Sequence, residues 1–164
     1  MRILVAVVIA LLSTTSYAQT CANLVAPPST TLSFTGPGYW RYIISEGFLA
    51  GEPTIDELDA EFYSSSFGSF NLATGANDNY STCDQCITFS RDYTDPVNNK
   101  LFFQSTGTIT ITQAPGPATL NVQLSNTRLV EVTLDPNTYV STPVPGGECY
   151  DLVPNEVFLS GFDD

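Results

Sequence analysis

The chain has 164 residues, with 17 Asp or Glu against 5 Lys or Arg, no histidine and a net charge of −12. Phosphate backbones and anionic bilayers are held through many Lys and Arg contacts, so this balance argues against nucleic acid and anionic membrane surfaces as partners. Without an imidazole there is no Ser-His-Asp or Cys-His nucleophile pair, and no His-built catalytic zinc site.

The N-terminus predicts export. Arg2, an apolar run over 3–12, polar residues over 13–16 and the end Ser16-Tyr17-Ala18 make the pattern of a secretory signal peptide. The run is shorter than the roughly 20 apolar residues that cross a bilayer, and no second run approaches that length, so no membrane span is expected. Removing 18 of 164 residues leaves 146, enough for one domain with a hydrophobic core. Loss of Arg2 takes the charge from −12 to −13. Thr20, where a lipoprotein needs a small residue before its Cys, argues against a lipid anchor on Cys21. The expected organisation is a signal peptide over 1–18, one domain over 19–155, and a C-terminal tail or edge strand over 156–164. The expected location is secreted, periplasmic or cell-surface.

Taken in chain order, 19–30 carry Pro27-Pro28 and few order signals, so they read as a leader that tethers Cys21. Residues 31–34 alternate polar and apolar before the turn Gly36-Pro37-Gly38, and aromatic and β-branched residues make 39–44 a strand. Pro53 and the capping-box pattern Thr54-x-x-Glu57 precede Ile55, Leu58 and Phe62, spaced at three and four residues. This predicts a helix over 52–62. Beyond Tyr63 the pattern is β. Phe67, Phe70 and Leu72 precede the turn-rich stretch 74–81, and Ile87, Phe89, Arg91 and Tyr93 alternate with Thr88, Ser90 and Asp92. A turn over 95–99 leads to a strand over 101–113. There Leu101, Phe103, Ile109 and Ile111 are expected to face inward, and Phe102, Gln104 and the even-numbered residues 106–112 outward. After a break at 114–117, Leu120, Val122 and Leu124 and then Val130, Val132 and Leu134 read as two strands, and 138–142 as a last short one. Seven or eight short alternating segments predict an all-β fold: a single antiparallel β-sandwich, jelly-roll or Ig-like, with one short helix.

Cys21, Cys83, Cys86 and Cys149 form an even set suited to an oxidising compartment. Pairing Cys83 with Cys86 and Cys21 with Cys149 is preferred, and cross-pairing to the central pair is the alternative. The long bridge would stabilise by roughly 4–5 kcal/mol by loop entropy. Cys83-Asp84-Gln85-Cys86 also has redox-motif spacing. A reactive pair sets its first Cys at a helix N-terminus, whereas Ile87-Thr88-Phe89-Ser90 reads as a strand, so the bond is expected to be structural.

Glu52, Asp56, Glu57, Asp59 and Glu61 cluster with no Lys or Arg between Arg41 and Arg91. They are expected on the solvated face of the predicted helix. Weak Ca²⁺ binding is the functional alternative, there and at Asn77-Asp78-Asn79, which otherwise reads as a turn. No other cofactor and no catalytic residue is singled out. Two carboxylates suffice for glycoside hydrolysis, but nothing in the sequence picks out a pair. Tyr39-Trp40-Arg41-Tyr42 offers either sugar-stacking platforms or strand aromatics packed in the core. Asn79-Tyr80-Ser81 is a glycosylation sequon.

The Cys83–Cys86 segment, Lys100-Leu-Phe-Phe-Gln-Ser-Thr-Gly-Thr-Ile-Thr-Ile111, and Arg128-Leu-Val-Glu-Val-Thr-Leu-Asp-Pro136 to Pro143-Val-Pro-Gly-Gly-Glu-Cys149 carry a resemblance. Over about residues 75–150 the chain resembles a loose group of uncharacterised secreted all-β proteins of Gram-negative bacteria. Val157-Phe-Leu-Ser-Gly-Phe-Asp163, with its Phe-x-x-Gly-Phe-Asp pattern, is similar to a short C-terminal tail of assorted exported proteins of such bacteria. The resemblance implies export and carries over no catalytic residue. The function expected is a non-enzymatic binding or structural module for an extracellular protein or glycan. A carboxylate-based hydrolase is the alternative, and a CxxC thiol oxidoreductase the lesser one.

Overall fold

The computed structural model describes residues 20–25, 31–36, 39–47, 50–116, 119–153 and 156–160, with side chains over 20–25, 39–43, 50–112 and 121–153. The expected signal peptide lies outside the described residues. The strands are β1 (Ala22–Val25), β2 (Thr31–Gly36), β3 (Tyr39–Gly47), β4 (Ile55–Phe62), β5 (Gly68–Asn71), β6 (Gln85–Arg91), β7 (Lys100–Gly116), β8 (Thr119–Leu134), β9 (Ser141–Pro143), β10 (Cys149–Val153) and β11 (Glu156–Ser160). Among the described residues a single 3₁₀ turn, Gly75–Asp78, accompanies them. The fold is all-β.

Among the described residues the strands form one sheet in the order β1-β10-β8-β7-β6-β4-β3-β2, with β5 on β7 and β9 and β11 on β8. The sheet is mixed, because β1 runs parallel to β10 from Ala22↔Tyr150 to Val25↔Val153. The segment expected as a loose leader is therefore partly a strand. Cys21 bonds to Cys149 at the start of β10, which holds Ala22–Val25 in reach of that edge. The two strands expected over 120–134 are one strand, β8, whose hairpin with β7 meets at Gly116↔Thr119.

The predicted helix over 52–62 is overturned: Ile55–Phe62 is strand β4, paired along its whole length with β3 and from Glu57 to Phe62 with β6. Leu58 and Phe62, four residues apart, suit a helical stripe, but with Ala60 between them they equally suit the period-2 face of a strand. A helix of this length is marginal by itself, and two flanking ladders outweigh local propensity. Thr54, expected to cap the helix, hydrogen-bonds Asp92 instead.

The β7–β8 ladder shifts register between Gln104 and Thr106 and again between Thr106 and Thr108. These bulges invert which face the odd residues occupy. Phe102 faces the main core before them, Ile109 and Ile111 after them. Phe102 and Gln104, expected to point outward, are buried, and Phe103 is buried in a second cluster on the opposite face with Cys83, Cys86 and Val132. The main core gathers Tyr42, Leu58, Phe62, Ile87, Phe89, Phe102, Leu129 and Tyr150 together with Ile109, Ile111, Val122 and Leu124. Phe89, Phe102 and Tyr150 meet with ring centroids 4.9–5.6 Å apart.

Candidate functional site

Strand alternation sends Leu58, Ala60 and Phe62 into the main core and Glu57, Asp59 and Glu61 to the opposite face of β4. That face is not solvated as expected of a helix: all three acids are buried. Arg41, paired with Glu61 across β3 and β4, lies along them. Its Nη2 donates to Glu57 Oε1 at 2.7 Å and to Asp59 Oδ2 at 2.8 Å, and its Nε sits 3.5 Å from Glu61 Oε1. Asp56, on the core face, accepts the backbone N–H groups of Ala50 (3.0 Å) and Asp92 (2.9 Å) and so ties two loops together. Only Glu52 of the cluster is exposed.

One cation among three buried carboxylates leaves charge uncompensated. Burial pushes Asp59 up to about 7 against the pull of Arg41, and the neighbouring Glu57 charge adds to the rise. Asp59 Oδ1 is buried and meets no donor. Hydrogen bonding with Glu57 also raises Asp59. The three acids hold Arg41 above its ordinary value despite its own burial.

Glu61 is wrapped by phenols. Tyr39 donates to Oε1 at 3.0 Å, and Tyr63 and Tyr80 donate to Oε2 at 3.2 and 3.1 Å. Burial first and the Glu61 charge second raise all three tyrosines. Beside this cluster opens a pocket of about 380 Å³. Tyr63, Tyr80 and Tyr139 line it with Ser81, Thr82, Thr138 and Asp84, and Cys83 forms part of the wall. Tyr63 and Tyr139 are 46% and 59% exposed, so the wall facing the opening is aromatic.

Three segments build this pocket: Tyr63, the loop over 80–84 and the loop over 135–140. Tyr63 leaves β4 anchored by its N–H to Asp84 O at 2.9 Å. In the loop over 135–140, the Asp135 carboxylate accepts the N–H groups of Asn137 and Thr138 and the Thr138 hydroxyl, which holds its pKa below the usual carboxylate range. Tyr139 there has φ 56°, the left-handed region that aromatic residues rarely occupy. Asn79 joins the loops: its carboxamide donates to Ser141 O at 2.9 Å and accepts Ser141 N at 3.1 Å.

The residues singled out in sequence separate into two sets. Both expected disulfides are present, Cys83–Cys86 and Cys21–Cys149, and no cysteine is free. In Asn77-Asp78-Asn79 the two amides do structural work. Asn77 Oδ1 accepts the N–H groups of Asp84 and Gln85, and its Nδ2 donates to Gln85 Oε1 at 2.9 Å. Among the described residues no group of three His, Cys, Asp or Glu is placed to hold a metal ion. Of the aromatic run 39–42, Tyr42 is buried against Phe62, Trp40 packs on the core and Tyr39 lies 4.7 Å from Tyr63, so no exposed platform forms there. The aromatic wall comes instead from the exposed Tyr63 and Tyr139 with the half-buried Tyr80, whose ring packs edge-on against Phe103; the three lie far apart in the chain. Their one shared sequence signal is a position beside Ser, Thr or Asn in turn-rich stretches. No protein-family model, curated protein or solved structure matches this chain.

Proposed function

We propose that this chain is an exported, non-enzymatic binding module that takes a glycan at the tyrosine-lined pocket. The observation that carries the reading is the convergence of Tyr63, Tyr80 and Tyr139 with Asp84 and three hydroxyl side chains around one opening. Aromatic surface with a few placed polar groups is what a sugar ring needs, with stacking for its apolar face and hydrogen bonds for its edge. The carboxylates favour binding over hydrolysis, because Glu57, Asp59 and Glu61 are buried, tied to Arg41 and the phenols, and absent from the pocket lining. Cys83 and Cys86 are buried and joined, which weighs against thiol chemistry. Two disulfides suit an oxidising, extracytoplasmic location, in keeping with the signal-like N-terminus and the secreted group that the chain resembles. We also read the sheet as folding over itself into a sandwich. In support, Ile109, Ile111, Val122 and Leu124 share one core with Tyr42, Phe62 and Phe89.

A glycan array with the disulfide-bonded protein tests the reading. Retention of a glycan that Tyr139→Ala and Tyr63→Ala each weaken at least tenfold is the expected result. Binding indifferent to both substitutions, or release of reducing sugar from the bound glycan, overturns it.

A further inference from the structure

We infer that the ligand presents a protonated primary amine to the pocket, an inference that rests on the binding reading above and narrows its ligand class. Most hydroxyl donors that line the pocket are already committed inside the protein. The Ser81 hydroxyl donates to Asn79 Oδ1 at 2.9 Å, Thr82 to Ala76 O at 2.8 Å and Thr138 to Asp135 Oδ1 at 3.0 Å. The Tyr63 and Tyr80 hydroxyls both donate to Glu61. Most backbone N–H groups are committed too: those of Ser81, Thr82, Asp84, Thr138 and Tyr139 have acceptors inside the protein, whereas that of the buried Cys83 has none among the described residues. A hydroxyl whose proton is spent offers a ligand only lone pairs. The wall is therefore rich in acceptors and poor in donors, with Tyr139 the one lining side chain whose hydroxyl proton has no acceptor among the described residues.

A neutral sugar edge needs donors and acceptors in turn, whereas an ammonium group brings three donors and needs none. The charge distribution points the same way. Asp84 has no ion-pair or hydrogen-bond partner for its carboxylate among the described residues, and no Lys or Arg lines the pocket. The Arg41 guanidinium is consumed by Glu57, Asp59 and Glu61, the buried acids behind the tyrosines. Phenols that donate to a carboxylate also carry more electron density on their rings, which strengthens attraction of a cation near the ring face. Tyr63 and Tyr80 are in that condition.

Titration calorimetry at about pH 6, where aliphatic amines are protonated, tests this with glucosamine, N-acetylglucosamine, n-butylamine and tetramethylammonium. The expected result is that glucosamine binds at least tenfold more tightly than its N-acetyl form. Asp84→Asn, checked for an unchanged thermal midpoint, is expected to remove that difference. Butylamine binding alongside glucosamine identifies the ammonium alone as sufficient; glucosamine binding without butylamine places the amine on a sugar ring. Tetramethylammonium, which lacks N–H donors, is expected to bind at least tenfold more weakly than butylamine. Equal binding of glucosamine and N-acetylglucosamine, both weakened by Tyr139→Ala, overturns the amine inference and leaves the pocket reading standing. No binding of any amine also overturns it, and the glycan array then judges the pocket separately.

Discussion

Asp59 is a carboxyl group in a place where its charge is poorly tolerated, and Arg41 does not fully offset that cost. Its folded pKa lies at about 7, above the ordinary 3.8, because burial and the Glu57 charge oppose ionisation. Between about pH 4 and 7 the folded chain holds a proton that the unfolded chain releases, so stability falls as pH rises through that window and levels off above it. The size is on the order of 2–4 kcal/mol for a shift of this kind. Other carboxylates act in a different window. Glu148, lowered chiefly by Lys100, and Asp95 and Asp135, lowered by local hydrogen bonds, contribute stability that is lost only as pH falls below about 4. Asp59→Asn keeps the shape and a donor toward Glu57 without a titrating proton. We expect its thermal midpoint to be flat between pH 5 and 8 while the native chain loses several degrees, at roughly 2–4 °C per kcal/mol for this size. Parallel curves for the two proteins would remove Asp59 as the titrating group.

At the scale of elements, β4 shows what sequence can and cannot supply. Its apolar residues satisfied two periods at once, but Glu57, Asp59 and Glu61 alternate strictly with Leu58, Ala60 and Phe62, and that period-2 signal was readable. What was not readable is why a strand tolerates three buried acids. The answer is Arg41 on a neighbouring strand, at a register that the sequence of β4 does not contain. The alternation of Ile87 and Phe89 in β6 was legible as a local pattern, and cysteine number gave the presence of two disulfides, though not the choice among their three pairings. The inversion within β7 was not, because bulges change the parity on which the reading rests. Gly107 sits in that inversion with φ +119°, and a Cβ there would lie 2.8 Å from Thr127 Cα. Gly68 has the same φ of +119° but open space around it. Both Gly→Ala changes meet backbone strain of roughly 1–3 kcal/mol, and only Gly107→Ala adds a backbone clash. In urea unfolding we expect Gly107→Ala to be the less stable by at least 1 kcal/mol. Equal midpoints would mean that the β7–β8 bulge yields to admit the methyl group.

At the scale of the whole molecule, the two disulfides differ in what they constrain. Cys21–Cys149 joins positions 128 residues apart and fastens β1 to an edge of the sheet, while Cys83–Cys86 spans a separation of 3 inside the pocket loop. Loop-closure entropy grows with the logarithm of loop length. The first bond then stabilises by about 5 kcal/mol and the second by under about 2 kcal/mol, before native-state effects. Binding should rank them in the opposite order. Cys83 forms part of the pocket wall between Tyr80 and Asp84, whereas neither Cys21 nor Cys149 lines it. We therefore expect the double change Cys21→Ser with Cys149→Ser to lower the denaturant midpoint more, yet to retain ligand affinity under conditions where the chain is folded. Cys83→Ser with Cys86→Ser should keep most of the stability and lose affinity, because the loop that presents Tyr80, Ser81, Thr82 and Asp84 is no longer closed at its base. If the short-loop variant binds as tightly as the native protein, the hydrogen bonds of Asn77 and Asn79 hold that loop without the sulphurs, and the pocket is built by amides alone.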